Sequence, residues 1–386
     1  MSSAPIPRRD FIRKSAVGLA AAGITSRALA SAETTMQTKP LHQSLPKWKG
    51  FNFLDFFVPN PQEGRPKTAE ESFKWMRDWG FDFVRIPMAY PYFLDIDYDR
   101  DITPDEVYEF SEKKVAEVDA IIEKAHKYGL HVSLNLHRAP GYCINAGFHE
   151  PYNLWTDQAA LDAFCHHWGM WSNRYSGLSK QLISFDLLNE PSLREDMNDQ
   201  HGKRETVPPE TYHRVAKAAV QSIRQHAPDH LIVADGNNGG HVAVPELADL
   251  DIAQSCRGYF PFDISHHKAP WVYKDTENLP PPKWPDGPGA NRRALEEFYK
   301  HWFDLQDQAV GVHCGECGCY NETPHDVFLA WFGDVLSVLA ERDIGFALWE
   351  MHGDFGILDS GRSDVDYEDW YGHKLDRKLL ELLRKV

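Results

Sequence analysis

Apolar positions along the chain fall into two alternating kinds of segment. Short, nearly continuous apolar runs read as strands buried on both faces, and longer stretches with apolar residues three or four apart read as amphipathic helices. WKGFNFL (Trp48–Leu54) predicts a first strand, FDFVRIP (Phe81–Pro87) a second and HVSLNLH (His131–His137) a third. The fourth, LISFDLLNE, ends abruptly in Asn189 and Glu190 and is stopped by Pro191. LIVADG (Leu231–Gly236), DIAQSCRGY (Asp251–Tyr259), VGVHCGE (Val310–Glu316) and GFALWEM (Gly345–Met351) complete a set of eight.

Helical patterns lie between them. Thr68 and Glu71 have the spacing of a capping box that opens a helix through Trp79, with Gly80 as its stop. Thr103-Pro104 reads as the cap and first-turn proline of a helix running to Tyr128 and closed by Gly129. Further helices are predicted over about 157–175, 209–226, 291–308 and 377–385, with another starting at Pro324. Eight β/α units within residues 47–386 predict a single-domain α/β fold, the (β/α)8 or TIM barrel. A doubly wound sheet would open on a G-x-G-x-x-G loop after its first strand, and GFNFLDFF has none.

Residues 1–30 stand outside this rhythm. Arg8-Arg9, with Arg13 and Lys14, precede a modest apolar stretch from Ala16 to Ile24 and then Ala28-Leu29-Ala30. A basic start, a short apolar segment and an A-x-A site predict a cleaved export signal, and the arginine pair points to the bacterial twin-arginine route. Residues 31–46 read as a polar lead-in, and the mature protein is expected in the periplasm or outside the cell, with no membrane-spanning segment. Loss of residues 1–30 removes five basic groups (Arg8, Arg9, Arg13, Lys14, Arg27) and one acid (Asp10), which moves the formal charge from −16 to −20. So acidic a chain repels phosphate backbones, which excludes nucleic acid as the expected partner and leaves neutral substrates open. Twelve Trp, 15 Tyr and 21 Phe supply flat apolar faces for such a ligand as well as for a core. The six cysteines show no framework spacing, and no disulfide is expected.

Polar side chains gather where the predicted strands end: Arg85, His137, Asn189-Glu190, Tyr259, Glu316 and Trp349-Glu350. In (β/α)8 barrels that end carries the active site. A glutamate at a strand end is, taken alone, as well explained by a salt bridge or a helix contact. Two of them on opposed strands four and seven fit glycosidic bond cleavage, in which one acid protonates the departing oxygen and the other attacks the anomeric carbon or activates water. A retaining enzyme needs the carboxyls about 5–5.5 Å apart, an inverting one roughly 6.5–9.5 Å.

These residues carry a resemblance. Arg85 in FVRIP, His137 in LHRAPG, the LLNEP of strand four, Tyr259 in YFP, Glu316 in GECG and Trp349 in ALWEMHGDFG, in this order, resemble glycoside hydrolase family 5, the cellulase family. The resemblance covers most of residues 47–386 and implies a retaining double displacement on a β-linked glucan, with no cofactor and no catalytic metal. It implies Glu190 as acid/base and Glu316 as nucleophile. Asn189 would contact the sugar 2-hydroxyl, Arg85 hold the nucleophile ionised, Tyr259 orient it, Trp349 stack on the sugar at the cleavage point and His137 bind sugar hydroxyls. An endo-β-1,4-glucanase acting as a monomer on polysaccharide or oligosaccharide is the expectation. The RAPG after strand three is similar to the loop of the family's β-1,3-glucanases, and β-1,3-glucanase, β-mannanase or a non-catalytic polysaccharide-binding barrel are the alternatives.

One position departs from the family pattern. A histidine is common two residues before the strand-six tyrosine, and Arg257 stands there in SCRGYFP; His266 or His267 would serve if the alignment is shifted. An arginine beside Glu190 would favour its ionised form and weaken a general acid. The proline-dense loop from about Phe260 to Gly289 places Trp271 and Trp284 as sugar platforms or as pins holding the loop to the barrel, and Trp155, Trp370 and Tyr371 carry the same two readings. Cys314, Cys317 and Cys319 in CGECGC lack the second paired knuckle of a zinc site and read as core packing; no metal is expected.

Overall fold

The structure is a computed structural model that describes residues 40–145, 150–194, 201–287 and 289–386. The predicted signal peptide, residues 1–30, and the first part of the lead-in lie outside the described residues. Eight parallel strands form the barrel: β1 (Lys49–Asn52), β2 (Phe83–Ala89), β3 (His131–Ala139), β4 (Ile183–Asp186), β5 (Leu231–Asp235), β6 (Ala253–Gly258), β7 (Val312–Cys317) and β8 (Phe346–Leu348). Each pairs with its chain neighbours, β8 pairs with β1 through Gly50↔Ala347, and the sheet closes on itself. The main helices are α1 (Glu70–Trp79), α2 (Glu112–Lys127), α3 (Gln158–Tyr175), α4 (Pro209–Arg224), α5 (Arg292–Asp307), α6 (His325–Ala340) and α7 (Arg377–Arg384). Between β5 and β6 the connection is a 3-10 helix, Pro245–Leu250. The fold is thus the single-domain (β/α)8 barrel that the alternation of patterns predicts.

The helices form because one face of each is apolar and meets the outside of the barrel. Phe73, Trp75, Met76 and Trp79 of α1 are buried, and Gly80, at φ 90°, ends that helix as expected. Burying each such side chain contributes roughly 1.5–3 kcal/mol. Two helix starts differ from expectation, for one reason: the capping hydroxyls are used elsewhere. Thr68 gives its N–H and hydroxyl to Asp55, at 2.6 and 2.7 Å, so the capping box with Glu71 does not form and α1 begins after Ala69. Thr103 bonds Glu106 through N–H (3.0 Å) and hydroxyl (2.8 Å), which stabilises only a short 3-10 turn, Glu106–Tyr108; α2 starts later, after Ser111.

The floor of the barrel is a separate small apolar cluster of Trp48, Phe83, Leu231, Val233, Ala253 and Ala347. Leu41 and Leu45 pack against it, and Gly311 N–H donates to His42 C=O at 2.6 Å, so the described part of the lead-in is tied under the barrel. All six cysteines are free thiols; Cys314, Cys317 and Cys319 turn their Sγ atoms to buried carbonyls of Glu316, Ala347 and Ile264 at 3.3–3.5 Å, in keeping with the packing account of CGECGC. Among the described residues, no helix is long and apolar enough to cross a membrane.

Candidate active site

The upper barrel interior is polar where a purely apolar core would ordinarily sit. Arg85 on β2 donates through Nε to Asp186 (2.7 Å), through Nη1 to Asn52 (3.2 Å) and Glu316 (2.5 Å), and through Nη2 to Asn189 (3.0 Å). Arg257 on β6 donates through Nε to Glu190 Oε1 (2.9 Å) and through Nη2 to Asn189 Oδ1 (2.9 Å), and both its Nη atoms contact Asp235. Its Nη2 also lies 3.4 Å from Glu316 Oε1. Two guanidinium planes therefore organise four carboxylates and two amides, and both arginines are fully buried.

The backbone aims the two glutamates. β4 proper ends at Asp186, but single bonds extend its line: Leu187 N–H to Val233 C=O at 2.9 Å and Asn189 N–H to Leu136 C=O at 3.1 Å. Glu190 then turns into the left-handed region with φ 49°. Its N–H donates to Asp235 Oδ2 at 2.9 Å and its C=O accepts the Tyr142 hydroxyl at 2.7 Å. A non-glycine residue in that region costs about 1–3 kcal/mol, which the surrounding contacts offset, and strain of this kind concentrates at functional sites. On β7 the register slips between Cys314 and Glu316, a bulge at Gly315 that re-aims the glutamate into the barrel mouth. Gly315 is required at this point: a Cβ there would collide with Ser255 Oγ and lie 3.3 Å from Arg257 Nη1.

Both carboxylates open on one cavity of about 430 Å³, lined also by His137, Asn189, Tyr259 and Trp349. Six of the seven residues singled out from the sequence thus line one space, and Arg85 lies directly beneath it. Glu316 is almost enclosed, its side chain 5% exposed, while Glu190 is 14% exposed. Tyr259 Oη donates to Glu316 Oε2 at 3.3 Å, and burial, reinforced by the charge of Glu316, keeps this phenol protonated. Burial pushes Glu316 up to about 7, against the pull of Arg257 and Arg85. Asp186 is likewise pushed up by burial, to about 6, whereas at Asp235 the two arginines outweigh burial and hold the carboxyl below its usual range. His137 stacks on Trp349 at 5.4 Å, and its Nε2 faces Asn189 Nδ2 at 3.3 Å. Burial and the two arginines keep that imidazole neutral.

Arg257 occupies the place where the family pattern has histidine, and it is the side chain that bonds the Glu190 carboxylate. His266 lines the same cavity, with its ring edge against Tyr259 at 4.9 Å and its Nδ1 bonded to Ser265 Oγ. Sequence reasoning missed Asp186 and Asp235, and it placed Glu350 at a strand end without giving it a role. A lone acid inside an apolar strand was the available signal for the first two. Glu350 sits beside the cavity, paired with Arg65, and burial pushes it up to about 7.

The loop aromatics separate cleanly. Trp271 is 38% exposed and lines the cavity with Phe355, while Trp284 gives its Nε1–H to Asp334 of α6 at 2.8 Å and pins the loop. Trp155 is buried against Tyr142 and Tyr212, and Tyr371 stacks on Trp75 at 5.8 Å, away from the acids.

A closed parallel barrel with an acid-lined cleft at the carboxyl ends of its strands is the architecture of a glycosidase. The chain belongs to the family Cellulase (glycosyl hydrolase family 5), which it matches over residues 36–354. It is similar to endoglucanase C of Acetivibrio thermocellus, 26% identical over 78% of this chain and 89% of the relative. A crystal structure of a glycoside hydrolase is 38% identical over 88% of this chain and 99% of that one, with a TM-score of 0.78. Cel5A of Thermotoga maritima, solved with cellobiose, shares the fold at 21% identity over 90% of this chain and 99% of that one, with a TM-score of 0.68; it has also been solved with mannotriose. The protein is therefore a glycoside hydrolase of endoglucanase-like type, from a family whose members cleave with retention through two glutamates.

Proposed function

We propose that the protein hydrolyses β-1,4-linked glucan chains internally, with Glu190 as acid/base and Glu316 as nucleophile. The observation that carries this reading is the arrangement of Glu190 and Glu316 on one cavity, bridged by the single guanidinium of Arg257. In the first step Glu316 attacks the anomeric carbon as the glycosidic C–O bond breaks, and the departing oxygen takes the proton of Glu190. In the second, Glu190 accepts a proton from water, the water oxygen bonds the anomeric carbon, and Glu316 leaves as carboxylate.

The surrounding groups fit these roles. Arg85 and Tyr259 both donate to Glu316 and hold it in position and ionised for attack. Asn189 Oδ1 is engaged by both arginines, which leaves its Nδ2, 3.3 Å from His137 Nε2, as the donor for the sugar 2-hydroxyl. Trp349 and His137, stacked on each other, offer an apolar face and a neutral imidazole to the ring and its hydroxyls. The name of endoglucanase C and the cellobiose complex of Cel5A support the glucan assignment, and the mannotriose complex of Cel5A favours testing mannan as the second substrate.

The experiment has two parts. Product analysis on cello-, laminari- and manno-oligosaccharides and their polymers should show internal cleavage of the β-1,4-glucan; no release from any of them would end the hydrolase reading of this site. Glu316→Ala should abolish turnover, with azide rescue giving an α-glycosyl azide, and Glu190→Ala should keep activity on good leaving groups, with azide giving the β product. Normal activity in either variant would overturn the assignment. We also propose export by the twin-arginine route, which N-terminal sequencing of protein recovered outside the cytoplasm tests: a start following Ala30 supports it, and retention of Met1 opposes it.

A further inference from the structure

A second cluster of chemistry-bearing side chains lies on the far side of the segment that follows β8. His352 belongs to that segment, Asp359 lies seven residues on, and His373 comes from the antiparallel hairpin Glu368–Trp370/His373–Leu375. The ligand-capable atoms of these three residues all fall within 4.8 Å of one another. Asp359 Oδ2 is 2.7 Å from His373 Nδ1 and 3.6 Å from His352 Nδ1, so both imidazoles turn the same ring nitrogen to one carboxylate oxygen. We propose that His352, Asp359 and His373 bind one divalent metal ion of the zinc class, outside the catalytic cleft.

The cluster is supported as a coordination site is supported. Asp359 Oδ1 accepts Lys374 N–H at 2.9 Å, which fixes the carboxylate with Oδ2 facing the imidazoles. His352 has Ser72 Oγ of α1 3.3 Å from its Nε2, a partner for the nitrogen the metal would not use. Outer contacts of this kind hold ligating histidines and carboxylates in orientation. The rings of His352 and His373 meet edge to face, with centroids 5.0 Å apart, so neither blocks the other's approach to a shared ion. With zinc bonds of about 2.0–2.1 Å, tetrahedral donors sit roughly 3.3 Å apart. The His373–Asp359 pair at 2.7 Å must therefore open and the His352–Asp359 pair at 3.6 Å close slightly, and His373, on the exposed hairpin, has that freedom.

Donor chemistry selects the ion. Two imidazole nitrogens and one carboxylate oxygen suit zinc and its neighbours, whereas calcium and magnesium take oxygen donors almost exclusively. Both histidines border a cavity of about 730 Å³ lined by Trp75 and Tyr371, through which an ion can enter and water can complete a four-coordinate shell. The site is distinct from glycosidic cleavage, for which no metal is needed. It joins the segment carrying Glu350 and Phe355 of the cleft wall to the hairpin, which already share the Asp359 N–H to Lys374 C=O bond at 2.9 Å. A bound ion would stiffen that wall.

The test uses the untagged full chain, stripped with chelator and dialysed. Calorimetric titration with Zn²⁺ should show one equivalent bound and a Tm raised by several degrees, because an ion that binds only the folded state stabilises it. Asp359→Asn and His373→Ala should each abolish uptake and the Tm rise, with unchanged circular dichroism and cellulase activity; if one variant fails to fold, the other and His373→Gln decide. Co²⁺ should give visible ligand-field bands without the intense near-ultraviolet band of thiolate ligation. Failure of the wild type to take up zinc, undiminished uptake in the variants, or a thiolate band placing the ion at Cys256 and Cys314 would overturn the proposal. Zinc uptake, the Tm rise and the Co²⁺ bands report binding alone, so a wrong catalytic assignment leaves them unaffected.

Discussion

Arg257 Nε donates to Glu190 Oε1 at 2.9 Å while Arg257 Nη2 stands 3.4 Å from Glu316 Oε1, so one guanidinium spans both acids. Glu190 Oε1 is thereby engaged, and the first chemical step asks the same carboxyl to deliver a proton from its other oxygen. Departure of the leaving group is expected to limit turnover on that account. On aryl cellobiosides of decreasing leaving-group basicity, kcat should climb steeply and level off only for the best leaving groups. A flat series, with product burst throughout, would show instead that hydrolysis of the glycosyl ester limits turnover.

The same guanidinium balances Asp235, which is wholly buried at the end of β5 and also accepts the N–H of Glu190. Arg257→Met should lower stability by about 3–5 kcal/mol, the usual result of leaving a buried charge uncompensated. The double variant Arg257→Met/Asp235→Leu should recover part of that loss, since it removes the stranded carboxylate. Denaturant unfolding of both proteins measures the difference. A single variant as stable as the wild type would mean that the network adds nothing to folding.

Activity should depend on pH through Glu316. Burial holds this carboxyl up at about 7, so it is protonated below that pH and able to attack only above it. The acid limb of kcat/KM should accordingly fall near neutrality. Arg85 donates to Glu316 at 2.5 Å and pulls in the opposite direction to burial. In Arg85→Met the carboxyl rises further, and the acid limb should move to higher pH by at least about one unit. Arg85→Lys, which keeps the charge, should move it less. An acid limb that stays in place in Arg85→Met would assign the titration to another group.

Much of this site was legible from the chain because each strand end is marked by a change from apolar to polar residues, as at Leu188-Asn189 and Val84-Arg85. Eight such strands with helical patterns between them leave the closed barrel as the economical solution. The buried network was not legible. Asp186 and Asp235 are single acids in otherwise apolar strands, and nothing in a linear sequence says that Arg85 and Arg257 point inward to meet them. The helix starts failed where Thr68 and Thr103 found nearer acceptors in Asp55 and Glu106. The metal cluster was hidden because its three residues come from a loop and a late hairpin with no ligand spacing.

Gly315 makes the bulge of β7 possible, and its hydrogen faces Ser255 and both arginines. Gly315→Ala would force Ser255 or Arg257 aside in a space with no slack, at a typical overpacking cost of about 1–3 kcal/mol. Because Arg257 holds Glu190, kcat should fall while KM changes little. Gly315→Ala/Ser255→Gly should regain stability by giving the methyl room. If the alanine variant is as active as the wild type, the close packing around Arg257 is not required for catalysis.

Trp271 and Trp284 lie in the same loop and differ in what they touch. Trp271 is exposed beside Phe355 at the cleft, with its ring 6.2 Å from that phenylalanine, whereas Trp284 is anchored to Asp334 at 2.8 Å. A stacked sugar gains from an aromatic face on the order of the 0.5–1.5 kcal/mol of an aromatic pair. Trp271→Ala should therefore raise KM for longer oligosaccharides by about 2- to 10-fold with thermal stability kept. Trp284→Phe loses the bond to Asp334 and should lower stability by about 0.5–1.5 kcal/mol with KM nearly unchanged. Steady-state kinetics on a chain-length series, run alongside thermal unfolding, separates the two. The opposite pattern, with Trp284 governing KM and Trp271 governing stability, would reverse their roles.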